Sequence, residues 1–327
     1  MFWKLSKNSS VKNILVITLS NIGDVIATAL VIDILLRDFP YARLSVVTGA
    51  KPASLFEGNP KIHNIHIYDK TLSWIGQFRW ILGLRKYRYD LVVDLRNSMI
   101  GFSLFPRWIT ALMIFSDRHL HMKDRHLNRL RFLYDYGHGD ALKLAIKPSP
   151  KDEKVVDDLL GGHVKPFIVV APRAADSSKT WAEEKFLNLC KDIVDRYPVH
   201  IVLIGSLDDG PVLERIKGSS SRIVSLAGKI NLIQTVDLIN RSLMVVAHDS
   251  GPMHIASYLN KSVVALFGPT DPEFSHPWGK GSSCVIEHKD QCERCKSPKI
   301  SVGHECMNLI SEKQVLQAFG EIYEKIR

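Results

Sequence analysis

Residues 13–40 read NILVITLSNIGDVIATALVIDILLRDFP. Asn13–Leu19 is a short apolar run rich in Ile and Val, the composition of a buried strand. Ser20-Asn21-Ile22-Gly23-Asp24 interrupts it with polar residues and a glycine. Val25–Asp38 then carries apolar residues at helical spacing and ends before Pro40. A strand, a short loop and a helix in that order form the opening unit of a parallel α/β sheet.

The same alternation continues along the chain. Leu44–Val47, Ile65–Tyr68 and Leu91–Asp94 read as strands, and Trp74–Lys86 as a helix. It restarts with strands at Phe167–Ala171, His200–Ile204, Arg222–Leu226, Leu243–Ala247 and Ser262–Phe267. Helices fall at Ala182–Tyr197, Leu232–Ser242 and His254–Leu259. Between the halves, KPSPKDEK (147–154) and Gly161-Gly162 mark a boundary. The expected domains are 1–160 and 161–327, each a doubly wound α/β sheet, the two facing a central cleft. Ligands of such sheets bind on the loops that follow the strands.

Composition narrows the function classes. With 46% hydrophobic and 24% charged residues in 327, the chain has ample material for a core and is not disordered. Glycine (20) and proline (15) exclude a collagenous or low-complexity chain. A net charge of +9 favours anionic partners: phosphorylated small molecules, nucleic acid or an anionic membrane surface. The apolar run Ile14–Leu19 is too short for a signal-peptide core, so a cytoplasmic protein is expected. Residues 98–116 (SMIGFSLFPRWITALMIFS) could span a bilayer by length, but Pro106 and Arg107 at their centre favour a buried or surface helix.

Three loops can carry chemistry. In the first, Gly23 permits close approach of a ligand, and Asp24 either serves the first turn of a helix or acts as a general base. The loop is not Gly-x-Gly-x-x-Gly, so the dinucleotide fingerprint is absent. In the second, Pro172–Trp181, Thr180 and Glu183 have capping-box spacing. Lys179 therefore stands before a helix start, either as a solvated side chain or as a cation sharing an anion with the backbone donors. In the third, Asp249-Ser250-Gly251-Pro252-Met253-His254 follows an apolar strand. It reads as a capped helix or as a diphosphate cradle. The serine lacks a Gly-x-Ser-x-Gly setting and is not a nucleophile.

Cys284, Cys292, Cys295 and Cys306 cluster near the end, with His288 and His304 nearby, whereas Cys190 stands alone. Cys292-x2-Cys295 could start a zinc site, but the other spacings match no common module. Reduced cysteines or an adventitious disulfide are the favoured reading, and no metal ligand is assigned. Between Arg79 and Arg131 there are eleven Lys/Arg against four Asp/Glu, interleaved with Trp80, Phe102, Phe105 and Trp108. That mixture suits anionic lipid heads, RNA or a plain solvated face.

HDSGPMHIASYLNKSVVALFGPTDP (248–272) resembles the signature of glycosyltransferase family 9, the ADP-heptose:lipopolysaccharide heptosyltransferases. ILVITLSNIGDVIATALVIDILLRDFP (14–40), YDLVVDLRNS (89–98), Lys179-Thr180-Trp181 and CERCKSPKISVGHECM (292–307) fit the same family. The resemblance implies a GT-B fold of two Rossmann-like domains, with the last helix, from Ser311, packing back on the first. It implies inverting, metal-independent transfer of heptose from ADP-heptose to the lipopolysaccharide inner core, with no cofactor. The family's general base falls on Asp24, and its phosphate-binding lysine on Lys179, next to Ser178. Its nucleotide-binding loop falls on Asp249, Ser250 and Gly251, with Pro252, Met253 and His254 lining the helix start. The family's Pro-Gly is Pro172-Arg173 here, Ala174 and Ala175 stand where some members have hydroxyls, and Asp208 is a candidate for the ribose contact. The implied partners are a nucleotide-sugar donor, a lipopolysaccharide core acceptor and the cytoplasmic face of the inner membrane, without nucleic acid. The alternatives are a related enzyme with another nucleotide-sugar donor and a non-catalytic protein that binds anionic surfaces or nucleic acid.

Overall fold

The computed structural model describes residues 5, 10–110, 119–137, 142–162, 164–296 and 305–327. The chain divides into two units, Met1–Ser149 and Pro150–Arg327.

In the first unit the order is β1 (Asn13–Ile17), α1 (Ile22–Asp38), β2 (Arg43–Thr48), α2 (Ser54–Glu57), β3 (Ile62–Ile67), α3 (Trp74–Leu84), β4 (Leu91–Asp94), β5 (Trp108–Ile109) and α4 (Met122–Leu133). The strands form one parallel sheet in the order β3-β2-β1-β4-β5. β1 is central, with Ile14 opposite both Leu44 and Leu91. Ile14 to Ile17 are fully buried, as a strand covered on both faces requires. α1 is buried from Val25 through Leu36 and packs against α4. Its apolar sequence on every side reflects that burial.

One charge sits inside this helix. Asp33 is completely buried, and its two carboxylate oxygens accept the backbone N–H groups of Leu142, Lys143, Leu144 and Ala145 at 2.7–3.0 Å. Four donors replace the lost hydration of the anion. Asn59 holds the same strap from the other side, donating to Leu144 O and Ala145 O.

Residues 98–110 do not form the helix expected over 98–116. They make a single 3-10 turn, Phe102–Leu104, and then β5, which pairs Trp108 with Leu91. Pro106 and Arg107 break the helical run between them. The remainder of that stretch, 111–116, lies outside the described residues. Among the described residues no helix is long and apolar enough to cross a membrane.

The second unit runs α5 (Pro150–Leu160), β6 (Phe167–Ala171), α6 (Glu183–Arg196), β7 (His200–Leu203), α7 (Gly210–Lys217), β8 (Ile223–Ser225), α8 (Leu232–Arg241), β9 (Met244–His248), α9 (Gly251–Tyr258), β10 (Ser262–Phe267), α10 (Pro272–Ser275), β11 (Ser283–Glu287), α11 (Glu293–Lys296), α12 (Cys306–Leu309) and α13 (Glu312–Ile326). Its sheet is also parallel, in the order β11-β10-β9-β6-β7-β8.

The boundary falls at Ser149/Pro150 rather than at 160/161 because α5 packs on α8. Arg241 of α8 reaches back to Asp157 of α5. Val315, Phe319 and Ile322 of α13 are buried in the core of the second unit, with Ile168, Ile193 and Leu266. A Ser311/Gln314 capping box fixes its start.

Both sheets reverse direction once in strand order, between β1 and β4 in the first unit and between β6 and β9 in the second. At such a switch point the two following loops diverge to opposite faces and leave a crevice at the carboxyl ends of the strands. The loops singled out by sequence, after β1, β6 and β9, are at these two places.

Candidate functional site

In the second unit the loop after β6 tightens into a 3-10 turn, Ser177–Lys179. Asp176 closes it, accepting from Ser178 N at 2.9 Å and from Ser178 Oγ at 2.8 Å. The Thr180/Glu183 capping box does not form. Thr180 donates its hydroxyl to Asp176 O, and α6 starts behind Ala182 without a side-chain cap. Lys179 therefore ends a turn instead of heading a helix, and its side chain is free to cross to the loop after β9.

There Lys179 Nζ lies 2.8 Å from Asp249 Oδ2. The other oxygen of Asp249 is 3.5 Å from His254 Nε2. The Asp249 side chain is 7% exposed. Burial opposes its ionisation, but the hydrogen bonds from His254 and Lys179 and the lysine charge outweigh burial and hold the carboxyl well below the usual carboxylate range. The pair presents one ammonium at the mouth of the β6/β9 switch point, with its counter-ion behind it.

α9 starts three residues earlier than expected, at Gly251, with Pro252 in its first turn. Ser250 is its N-cap residue but makes no capping bond. Its hydroxyl donates to His248 O at 3.2 Å. The first-turn N–H groups of a helix have no partner inside it, and those of α9 receive none from the cap side chain. Gly251 and Met253 carry such groups; Pro252 has none. Met253 and His254 are buried, so Met253 offers its backbone and not its side chain.

Behind this mouth the two loops are locked together. His248 is fully buried at the end of β9, and its Nε2 accepts Trp181 N–H at 2.9 Å. Burial pushes the imidazole down to about 3, so it is neutral at ordinary pH. Phe186 packs edge-on against both Trp181 and His248. Gly268, after β10, completes the contact. A Cβ there would stand 3.1 Å from both Ser178 O and Met307 Sδ, so a side chain would force the turn outward. Asp208 is exposed on the neighbouring turn after β7, where it is Asp209 that caps Ser206 and accepts from Arg173.

In the first unit Asp24 occupies the first turn of α1, partly exposed, and accepts from Asn21 Nδ2 at 3.1 Å. Its loop lies against Gly49, where a Cβ would approach Ser20 Cα to 3.1 Å. The adjacent loop, after β4, is organised by a residue to which the sequence reading gave no role. Asp94 is buried beside Ile17 and accepts from Arg96 N, Ser98 N and Ser98 Oγ. Burial raises its carboxyl above the ordinary range despite these bonds. The turn sets Arg96 over the Tyr68 ring, 4.4 Å from its centroid. An aspartate at a strand end followed by Leu-Arg-Asn-Ser is the local signal for such a turn.

The structure thus brings Lys179, Asp249 and His254 into direct contact and sets Ser250 and Gly251 beside them. Ser178 is committed to Asp176 through its hydroxyl.

Comparisons with known proteins agree on one family. The family model described as glycosyltransferase family 9 (heptosyltransferase) matches residues 78–304. Lipopolysaccharide heptosyltransferase 3 of Escherichia coli (strain K12) is 27% identical over 286 residues, covering 78% of this chain and 82% of that protein. Among solved structures, the family 9 glycosyltransferase of Veillonella parvula DSM 2008 superposes with a TM-score of 0.77 at 22% identity, covering 98% of this chain and all of the other. The ADP-heptose lipopolysaccharide heptosyltransferase II of E. coli gives 0.74 at 23% identity, covering 96% and 99%.

Proposed function

The chain belongs to glycosyltransferase family 9, the heptosyltransferases, and has the GT-B fold of two Rossmann-like units; from this membership and the loop geometry we propose that it moves heptose from ADP-heptose to the inner core of lipopolysaccharide, with inversion and without a catalytic metal. The observation that carries the reading is the Lys179–Asp249 pair beside an uncapped helix start at the β6/β9 switch point.

In the proposed reaction an acceptor hydroxyl attacks the anomeric carbon of the heptose while the bond from that carbon to the β-phosphate oxygen of ADP breaks. Asp24 takes the hydroxyl proton as general base. The charge that grows on the departing diphosphate needs fixed positive partners. Lys179 supplies a full charge, and the first turn of α9 supplies N–H groups from Gly251 and Met253 at the positive end of the helix dipole. A cation and a helix start take the place that a divalent ion has in metal-dependent transfer. Asp249, with both oxygens engaged, holds the lysine in place; it would repel a diphosphate if it stood alone. Ser250 orients the turn, and Ser178 contributes through the backbone geometry of its 3-10 turn.

A basic and aromatic surface on the first unit supports contact with an anionic membrane. Trp74 and Phe105 are 79% and 80% exposed, with Ile75, Phe78 and Met99 also exposed. α3 packs against the 3-10 turn that precedes Phe105, and the Arg85 guanidinium lies over the Phe105 ring. Exposed aromatic side chains flanked by Arg79, Arg85 and Lys86 suit the headgroup region of a bilayer. The location proposed on this basis is the cytoplasmic face of the inner membrane, where the enzyme would meet its lipopolysaccharide acceptor.

The deciding experiment is turnover of ADP-heptose on a panel of truncated core acceptors, with the mass and anomeric configuration of the product determined. Retained configuration, or turnover only with another nucleotide sugar, would overturn the reading.

A further inference from the structure

Cys292, Cys295 and Cys306 have no role in the proposed reaction, yet the fold brings their sulfur atoms within 4.8 Å of one another. Cys295 Sγ and Cys306 Sγ are 4.0 Å apart, and none of the three cysteines is in a disulfide. Four sulfurs around a tetrahedral zinc ion at about 2.3 Å are about 3.8 Å apart, so the cluster is close to the required spacing without rearrangement of the backbone. A disulfide needs about 2.05 Å and would use two of the three. Cys292 and Cys306 are buried, and Cys295 partly so. The backbone N–H groups of Cys295, Glu305 and Cys306 converge on the sulfur of Cys292. Cys284, on β11, stands apart from this group and packs against the core. His304 lies outside the described residues and takes no part in the argument.

We infer that Cys292, Cys295 and Cys306 hold a thiophilic divalent cation of the zinc type, which pins the segment 306–310 behind the loop that carries Lys179. Three sulfur donors with no carboxylate among them select zinc or iron over magnesium or calcium. Cys306 opens α12, and the contacts that follow reach the Lys179 loop and the first turn of α6 next to it. Met307 lies against Gly268, whose own close neighbour is Ser178 O. Ile310 O accepts Trp181 Nε1 at 3.0 Å, and Lys185 Nζ donates to Asn308 O and Ile310 O at 2.7 Å. The cation is structural and takes no part in group transfer. The sequence reading favoured reduced cysteines because Cys-x2-Cys-x10-Cys matches no common module. Convergence of the three sulfurs is set by the fold and not by the spacing. The pinning half of the inference rests on the reading of Lys179 as a phosphate ligand.

The test uses the full chain, reduced and freed of metal by a chelator, titrated with cobalt(II) as the spectroscopic probe. Thiolate-to-cobalt bands should saturate at about one equivalent and disappear on addition of zinc. Cys295→Ser should abolish the bands, and Cys284→Ser should keep them. Absence of bands in the wild-type protein, or bands unaffected by Cys295→Ser, would overturn the site. Should Cys295→Ser not fold, thiol alkylation of the cobalt-loaded wild type decides. Protection of Cys292, Cys295 and Cys306 relative to the metal-free protein supports the site, and equal labelling overturns it. For the pinning half, zinc-loaded protein should bind ADP about tenfold more tightly than chelated protein, the size of effect expected when a binding group is displaced. Equal affinity would overturn that half. The cobalt readout involves no nucleotide, so failure of the metal site and failure of the donor reading are separable.

Discussion

Replacing Lys179 by methionine keeps the apolar stem and deletes the ammonium that stands 2.8 Å from Asp249. A bound diphosphate would bring a second anion to the same ammonium. At about 4 Å between charge centres and an effective dielectric constant of about 20, that attraction is about 4 kcal/mol. Asp249 already competes for the same charge, so the net loss on substitution is about half, ~2 kcal/mol, or roughly thirtyfold in the Kd for ADP. The variant also leaves the Asp249 carboxylate, 7% exposed, without its lysine counter-ion and with His254 Nε2 at 3.5 Å as its other side-chain neighbour. Its melting temperature should fall for that reason. Asp249→Asn in the same chain removes the orphaned charge and should restore part of the stability without restoring affinity. Titration calorimetry with ADP at low and high salt measures the effect. The wild-type affinity should weaken more steeply with salt than that of Lys179→Met. An ADP affinity within threefold of wild type at low salt would refute the assignment of Lys179 to the diphosphate. Tighter binding by Asp249→Asn alone would refute the positioning role of Asp249.

Asp24→Asn should lower transfer by about 10²-fold or more while ADP affinity is unchanged, as expected for loss of a general base; unchanged turnover removes the proposed base. Asp33→Ala strips four backbone donors, that of Ala145 buried and the other three partly so, of their buried acceptor and should destabilise the first unit by ~3 kcal/mol or more, read from urea midpoints; a change below ~1 kcal/mol would contradict the strap's dependence on this carboxylate. Burial holds His126 in the first unit and His248 in the second near 3, against an ordinary 6.5. The unfolded chain therefore binds protons below about pH 6.5 that the native chain does not, and stability falls as pH drops from about 6.5 towards 3, by up to ~1.4 kcal/mol per pH unit for each histidine. Urea unfolding at several pH values should show a shallower fall in His126→Leu, and identical pH dependence in variant and wild type would contradict it.

Much of this molecule is legible in its sequence because strand and helix have different periods. Asn13–Ile17 and Phe167–Ala171 are near-continuous apolar runs, so they could only be buried strands between helices. The polar breaks after them had to lie at the strand ends where ligands bind. Spacing also placed Asp24, Lys179 and Asp249–His254 on those loops, and the family resemblance gave each a role. Elements with a mixed pattern were missed, among them α4, α7 and β11, whose burial depends on neighbours distant in sequence.

What the sequence could not determine is which side chains meet. Thr180 and Glu183 have capping-box spacing, yet the turn closed by Asp176 takes Thr180 away and frees Lys179 to cross to a residue 70 positions later. That meeting exists because β6 lies beside β9 in the sheet, an adjacency set by the crossover connections and by burial on both faces. Asp33 finds its donors more than 100 residues away, and three cysteines of unremarkable spacing converge behind the Lys179 loop. Local pattern fixes what each segment is, since periodicity is a property of consecutive residues. Partners are fixed by strand order, which emerges only when the segments pack.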